Sequence, residues 1–184
     1  MKTPVFFLEG PSEKEMLLGL LPRLLPPDVY VRYLIFNGKQ DLEKNLIRRL
    51  RGWLSPDSVF IILRDQDACD CLEVKGKLKE LSRQANKKNI LIRIACHELE
   101  TFYLGDLAAV EKGLGVKGLT KKQSNKKYRT PDQLGSPAQE LTTLTDGTYQ
   151  KLSGSRAIGP HLSLTENKSH SFKVLLSGIR KLFE

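Results

Sequence analysis

Residues 59–71, VFIILRDQDACDC, join two kinds of sequence. Val59-Phe60-Ile61-Ile62-Leu63 is an unbroken apolar run, the mark of a strand covered on both faces. Asp65, Asp67 and Asp70 then crowd three carboxylates into six positions, although the chain carries a formal net charge of +9. On extended backbone Asp65 and Asp67, two apart, point the same way. Carboxylates that close repel and raise one another's pKa unless a cation lies between them.

Three more strands flank this one. They are read at PVFFLE (4–9), VYVRYLIF (29–36) and ILIRIAC (90–96). Helices are predicted between them. The first, 12–25, has Ser12 as N-cap, Glu15 completing a capping box and Pro22 as a kink or stop. The second, 40–54, buries Leu42, Leu46, Ile47, Leu50 and Leu54 on one face. The third spans 70–86, and HELETFYLGDLAAVEKGLG opens a fourth. Strands alternating with helices give an α/β fold: a Rossmann-like parallel sheet of about four core strands between helices. Beyond residue 113 the pattern decays. KGLTKKQSNKKYRTPDQLGS (117–136) reads as a mobile loop, followed by helices near 137–145 and 171–183. The expected division is an α/β core over 1–113 and a basic loop with a helical extension over 114–184, packed on that core.

No apolar run approaches the roughly 18 residues a membrane span requires. The N-terminal MKTPVFFLEG reads as a strand, not a signal peptide. Three cysteines, Cys69, Cys71 and Cys96, suit free thiols in a reducing cytoplasm. Residues 1–111 hold 17 Lys/Arg against 16 Asp/Glu, and residues 112–184 hold 13 against 5. A basic half beside an acidic cluster points to a polyanion held near bound metal, DNA or RNA. A basic surface kept for solubility is the plainer alternative.

Ligands of open parallel sheets bind at the carboxyl ends of the strands. Glu9-Gly10 follows the first strand, with Glu13 four positions on. Gly10 is read as allowing a tight turn. Asp65, Asp67 and Asp70 follow the third strand, and His97, Glu98 and Glu100 the fourth. Right-handed crossovers bring these ends to one edge. Oxygen donors without a Cys2His2 pattern select Mg2+ or Mn2+. Asp65 and Asp67 have the spacing to hold such an ion, and Glu100 is read as an extra metal or water-positioning carboxylate. Asp70 suits a helix cap. In KKQSNKKYR, Lys121, Lys122, Lys126, Lys127 and Arg129 can track a phosphate backbone while Tyr128 stacks on a base.

FFLEG followed by ILRDQD resembles the Toprim domain of topoisomerases, primases, small maturation nucleases and OLD-class nucleases. Glu9, Asp65 and Asp67 match its metal-binding acids, and Glu13 matches the acid that OLD-type nucleases carry four positions after the first. With HELETFYLGD and the late YQKLSGSRAIGPHL and SHSF, the whole chain resembles small uncharacterised bacterial Toprim-like proteins, often encoded beside an AAA-type ATPase. The resemblance implies a Mg2+- or Mn2+-dependent nuclease in which Glu9, Asp65, Asp67 and Lys151 are catalytic, Lys151 standing for a late lysine near the scissile phosphate. It also implies a place in phage defence with an AAA/ABC-type ATPase partner. The alternative is a non-catalytic regulator or effector of that ATPase. No topoisomerase or primase module is expected.

Overall fold

Alternate residues of the central strands feed two separate cores, and this sets the whole architecture. The computed structural model describes residues 2–88 and 90–183. In chain order it contains β1 (Thr3–Leu8), α1 (Pro11–Leu20), β2 (Arg32–Ile35), α2 (Lys39–Arg51), β3 (Ser58–Asp65), α3 (Cys71–Gln84) and β4 (Ile90–Ala95). Then follow α4 (Glu100–Leu104), α5 (Leu107–Leu114), α6 (Lys126–Arg129), α7 (Pro137–Leu144), α8 (Lys151–Ile158) and α9 (His170–Phe183). The sheet is parallel throughout, in the order β2-β1-β3-β4. The four strands between helices are those the sequence indicates, and β3 is buried along its whole length.

Phe6, Leu8, Ile61 and Leu63 point to a large core shared with α1, α4, α5, α8 and α9. Val5, Phe7, Phe60 and Ile62 point to a smaller one under α2 and α3. Leu42, Leu46 and Leu50 fill the latter from α2, each fully buried, and each contributes roughly 2 kcal/mol of burial. Residues past 113, among them Tyr149, Ile158, Phe172 and Ile179, lie in the same core as β1. α8 rests on α1, and α9 on β4. Among the described residues no helix is long and apolar enough to cross a membrane.

Several boundaries differ from the sequence reading. Gly10, not Ser12, is the N-cap of α1: Pro11 opens the helix, and Ser12 is buried in its first turn. Pro, which needs no N–H partner, starts a helix more readily than it interrupts one. Pro22 falls in a 3-10 turn, Leu21–Arg23, that ends the helix. β2 is shortened to an edge strand, while Val29 and Val31 pack against the large core before it. Leu54 lies beyond α2 and is 88% exposed. Residues 117–136, read from the sequence as a mobile loop, hold α6 between two 3-10 turns, Thr120–Ser124 and Pro131–Gln133. A carboxylate oxygen of Glu111 accepts from Leu119 N, Thr120 N and the Thr120 hydroxyl at 2.7, 2.8 and 2.9 Å. Gln123 accepts from Leu107 N at 2.7 Å and donates to the Tyr128 carbonyl at 2.7 Å. Two side chains thus tie these short backbone-bonded turns to the rest of the chain.

Candidate metal centre

The carboxyl edge of the sheet gathers its acids from four elements. β1 ends at Leu8, so Glu9 stands at the edge, and the first turn of α1 brings Glu13 back over it, 3% exposed. Asp65 is the last residue of β3 and is 5% exposed. It follows Ile61 and Leu63 in parity and so points to the α1 face. Glu100, fully buried, is the first residue of α4. Lys151 opens α8, on the cavity of about 380 Å3 that Glu9, Glu13 and Asp65 also line.

These groups are held rather than merely near. The Asp65 N–H donates to Glu9 Oε2 at 3.2 Å, and Arg64 lies 3.9 Å from the same oxygen. The Tyr149 hydroxyl donates to Glu100 Oε1 at 2.7 Å. One oxygen each of Glu13, Asp65 and Glu100 is buried with no hydrogen-bond partner among the described residues. Burial, then repulsion from Glu13, Glu9 and Glu100, pushes the Asp65 carboxyl well above the usual range, against the pull of Lys151. Burial, reinforced by Glu9 and Glu100, pushes Glu13 up to about 7, although its own N–H and Lys151 work the other way. Burial also raises Glu9, Asp67 adding repulsion, with the Asp65 N–H opposing. Partial burial disfavours the charge on Lys151, yet Glu100, Asp65, Glu13 and Glu98 outweigh it and raise its pKa.

Among the described residues no three acidic, His or Cys side chains already close around a single ion. The donors nonetheless fit one. Orphaned buried carboxylate oxygens are costly, here they come from three elements onto one cluster, and every donor is oxygen. Mg2+ needs only one or two carboxylates beside waters and substrate phosphates. Glu9, Glu13, Asp65 and Glu100 are the residues that would hold it.

Residues 8–180 match the family described as a domain of unknown function (DUF4276). The chain belongs to the DUF4276 family. No curated protein matches it. The fold is similar to the C-terminal region of the Burkholderia pseudomallei OLD protein, with 14% identity, TM-score 0.58 and 98% of each chain covered. It is also similar to the C-terminal region of the Xanthomonas campestris pv. campestris OLD protein, with 14% identity, TM-score 0.52, and 99% of this chain and 96% of that one covered. The DUF4276 chain therefore has the Toprim-type α/β fold.

Other expected residues of the DUF4276 chain are placed differently. Asp67 does not point alongside Asp65. It sits in a left-handed turn (φ 57°), its N–H donates to the His97 carbonyl at 2.7 Å, and its carboxylate pairs with Lys39 at 2.7 Å. A residue at positive φ breaks the strand alternation on which that expectation rested. Gly10 is extended at φ −155°, backbone that any residue adopts, so no tight turn requires it. Asp70 caps α3, accepting from Leu72 N and Glu73 N at 2.8 and 3.0 Å. Glu98 accepts from Ala138 N at 2.8 Å, at the start of α7. In the basic segment Lys121, Lys122, Lys126 and Arg129 are exposed, and Lys127 pairs with Glu140 at 2.6 Å. The Tyr128 ring is only 2% exposed and its hydroxyl donates to Glu140, so it presents no stacking face to a base.

Sequence reasoning missed Arg64, Lys39 and Tyr149. Arg64 had a signal: a charged residue inside an apolar strand needs a buried partner. Tyr149, two residues before Lys151, had none, because the chain around it shows no clear period.

Proposed function

We propose that the protein is a Mg2+- or Mn2+-dependent nuclease that hydrolyses phosphodiester bonds of DNA or RNA. One observation carries the reading: Glu13, Asp65 and Glu100 are buried together with unpartnered oxygens, beside Lys151, at the carboxyl edge of a Toprim-type sheet. A divalent ion there supplies charge neutralisation and a more acidic water. The residues do the rest. Glu9, steadied by the Asp65 N–H, and Glu13 present oxygens over the sheet edge. Tyr149 fixes the rotamer of Glu100. Lys151 offsets negative charge that grows on the phosphate in the transition state. Asp67, next to Glu9, belongs to the same acidic group. The exposed Lys121, Lys122, Lys126 and Arg129, with Lys127, supply a backbone-tracking surface of low sequence preference. The resemblance to Toprim-like proteins extends the proposal to phage defence.

The test is cleavage of single-stranded and duplex DNA and RNA, with Mg2+, Mn2+ or EDTA, beside Asp65→Asn. Cleavage that needs the metal and drops about 10³-fold or more in the variant is the expected result, as for loss of a group acting on developing charge. Metal-dependent cleavage indifferent to Asp65 removes the proposal.

A second reading, regulator or effector of an AAA/ABC-type ATPase, draws on one feature. An apolar groove of about 290 Å3 lies open between the end of α1 and β2, lined by Leu18, Leu21, Leu25, Val31 and Tyr33. A folded protein that binds Mn2+ yet cuts nothing until the ATPase is added would favour it.

A further inference from the structure

At the other end of the sheet, three strands begin around a second cavity. Thr3 opens β1, Arg32 opens β2 and Ser58 opens β3, and with Tyr30, Trp53 and Leu54 they line a space of about 360 Å3. The seven steps of β3 from Ser58 to Asp65 put it about 23 Å from the acidic cluster. The two sites do not touch.

Arg32 is clasped by aromatic rings. Its guanidinium carbon lies 5.5 Å from the Tyr30 ring centre and 5.9 Å from that of Trp53. The Trp53 indole N–H donates to Ser58 Oγ at 2.7 Å, which fixes the ring, and Lys87 Nζ donates to the Trp53 main-chain carbonyl at 2.6 Å, which ties down the backbone beneath it. The Arg32 side chain makes no hydrogen bond or ion pair among the described residues, and its recorded contacts are the two rings. Tyr30 is 70% exposed and Leu54 88% exposed. A guanidinium that rests on aromatic rings and has its N–H groups unpaired keeps its fork available to take a phosphate bidentately. An exposed tyrosine ring with an aliphatic neighbour offers a planar base somewhere to stack. The volume lies in the lower part of the small-molecule range. Arg48, Arg49 and Arg51, in the last turn of α2, add positive potential, which Asp57 on the following loop only partly offsets.

We propose that this cavity binds a nucleotide, with the phosphate on Arg32 and the base against Tyr30 and Leu54. The nucleotide is either free or the terminal unit of a strand. The proposal does not depend on the nuclease reading.

Trp53 is the only tryptophan of the chain, so its emission reports on this cavity alone. The full chain is titrated in EDTA with AMP, with a short oligonucleotide, and with the same oligonucleotide carrying a 5′-phosphate. Excitation is at the red edge of tryptophan absorption, and equilibrium dialysis provides an independent affinity. We expect saturable quenching by AMP, at least tenfold weaker binding in Arg32→Ala, and weaker binding also in Arg32→Lys, which keeps the charge but loses the fork. Tighter binding of the phosphorylated oligonucleotide than of AMP identifies a strand end, and the reverse a free nucleotide. No saturable change with any probe, or equal affinity in a folded Arg32→Ala, overturns the proposal.

Discussion

Arg64 and Asp65 are neighbours in β3, yet they serve opposite faces of the sheet. On the α2/α3 face Arg64 is buried against Glu43, and Lys77 closes on the same carboxylate. On the α1 face Asp65, Glu13 and Glu100 are buried just as deeply, but each keeps an oxygen with no partner. The first set is a structural ion cluster: Glu43 is paired twice and holds two helices to a strand, and the Arg64 Nε that has no hydrogen-bond partner among the described residues lies 3.9 Å from the Glu9 carboxylate. The second set is left in deficit, with Lys151 alone to set against three carboxylates. Packing stabilises one face, and on the other, carboxylates are buried at a cost to stability, as the proposed metal centre requires.

The two faces part most visibly under substitution. Arg64→Met leaves Glu43 with Lys77 alone. The expected loss is about 1–3 kcal/mol, read from the urea midpoint in the absence of metal. Asp65→Asn, one residue away, has the opposite sign and raises the midpoint. If both variants destabilise alike, the distinction between the faces is wrong.

The pH dependence sharpens it. Glu13 has an ordinary pKa of 4.5 and a folded one of about 7. Below pH 4.5 both states hold the proton and burial carries no penalty. Between these values the unfolded chain releases the proton first, so stability falls as pH rises. Glu13 alone accounts for about 3 kcal/mol of that fall. Thermal melts should show the decline without metal, lose it in saturating Mn2+, and lose part of it in Glu13→Gln. A flat profile without metal would sink the picture of a cluster in electrostatic deficit.

A smaller effect is expected from Tyr149→Phe, which removes the hydrogen bond that Tyr149 donates to the Glu100 carboxylate. Mn2+ affinity measured calorimetrically should drop about 10–100-fold, the usual range for an outer-shell partner, with the fold intact. Smallest is the basic segment. Replacing Lys121, Lys122 and Lys126 with Gln should flatten the plot of log affinity against log salt by about 0.7 to 0.9 for each phosphate no longer neutralised. An unchanged slope would place nucleic acid elsewhere.

The sequence carries the two faces unequally. The strands and α2, α3 and α9 are legible because their apolar runs and periods are strong: Leu42, Leu46 and Leu50 announce a helix face directly. Asp65 and Glu9 are legible because a carboxylate at the end of a buried strand is conspicuous. α8 is hidden. KLSGSRAI lacks an apolar stripe, since Gly154 and Ser155 are buried by smallness rather than hydrophobicity. The order in 117–136 is hidden too, because it rests on Glu111 and Gln123 reaching to distant backbone. Asp67 misleads for a local reason: its left-handed backbone is set by the turn it makes with His97, and no propensity of the dipeptide reveals it.

The seat of α8 has a further consequence. A Cβ on Gly159, at the end of this helix, would come within 2.6 Å of the Met16 carbonyl oxygen in α1. A Cβ on Gly154, inside it, would come within 2.4 Å of the Tyr149 ring. The span from ammonium to carboxylates is thus gauged by hydrogen atoms where every other residue carries carbon. Such a gauge has no slack. One added methyl, on a residue that touches no acid, would lever the lysine-bearing helix off its rest and mistune the charge balance at a distance.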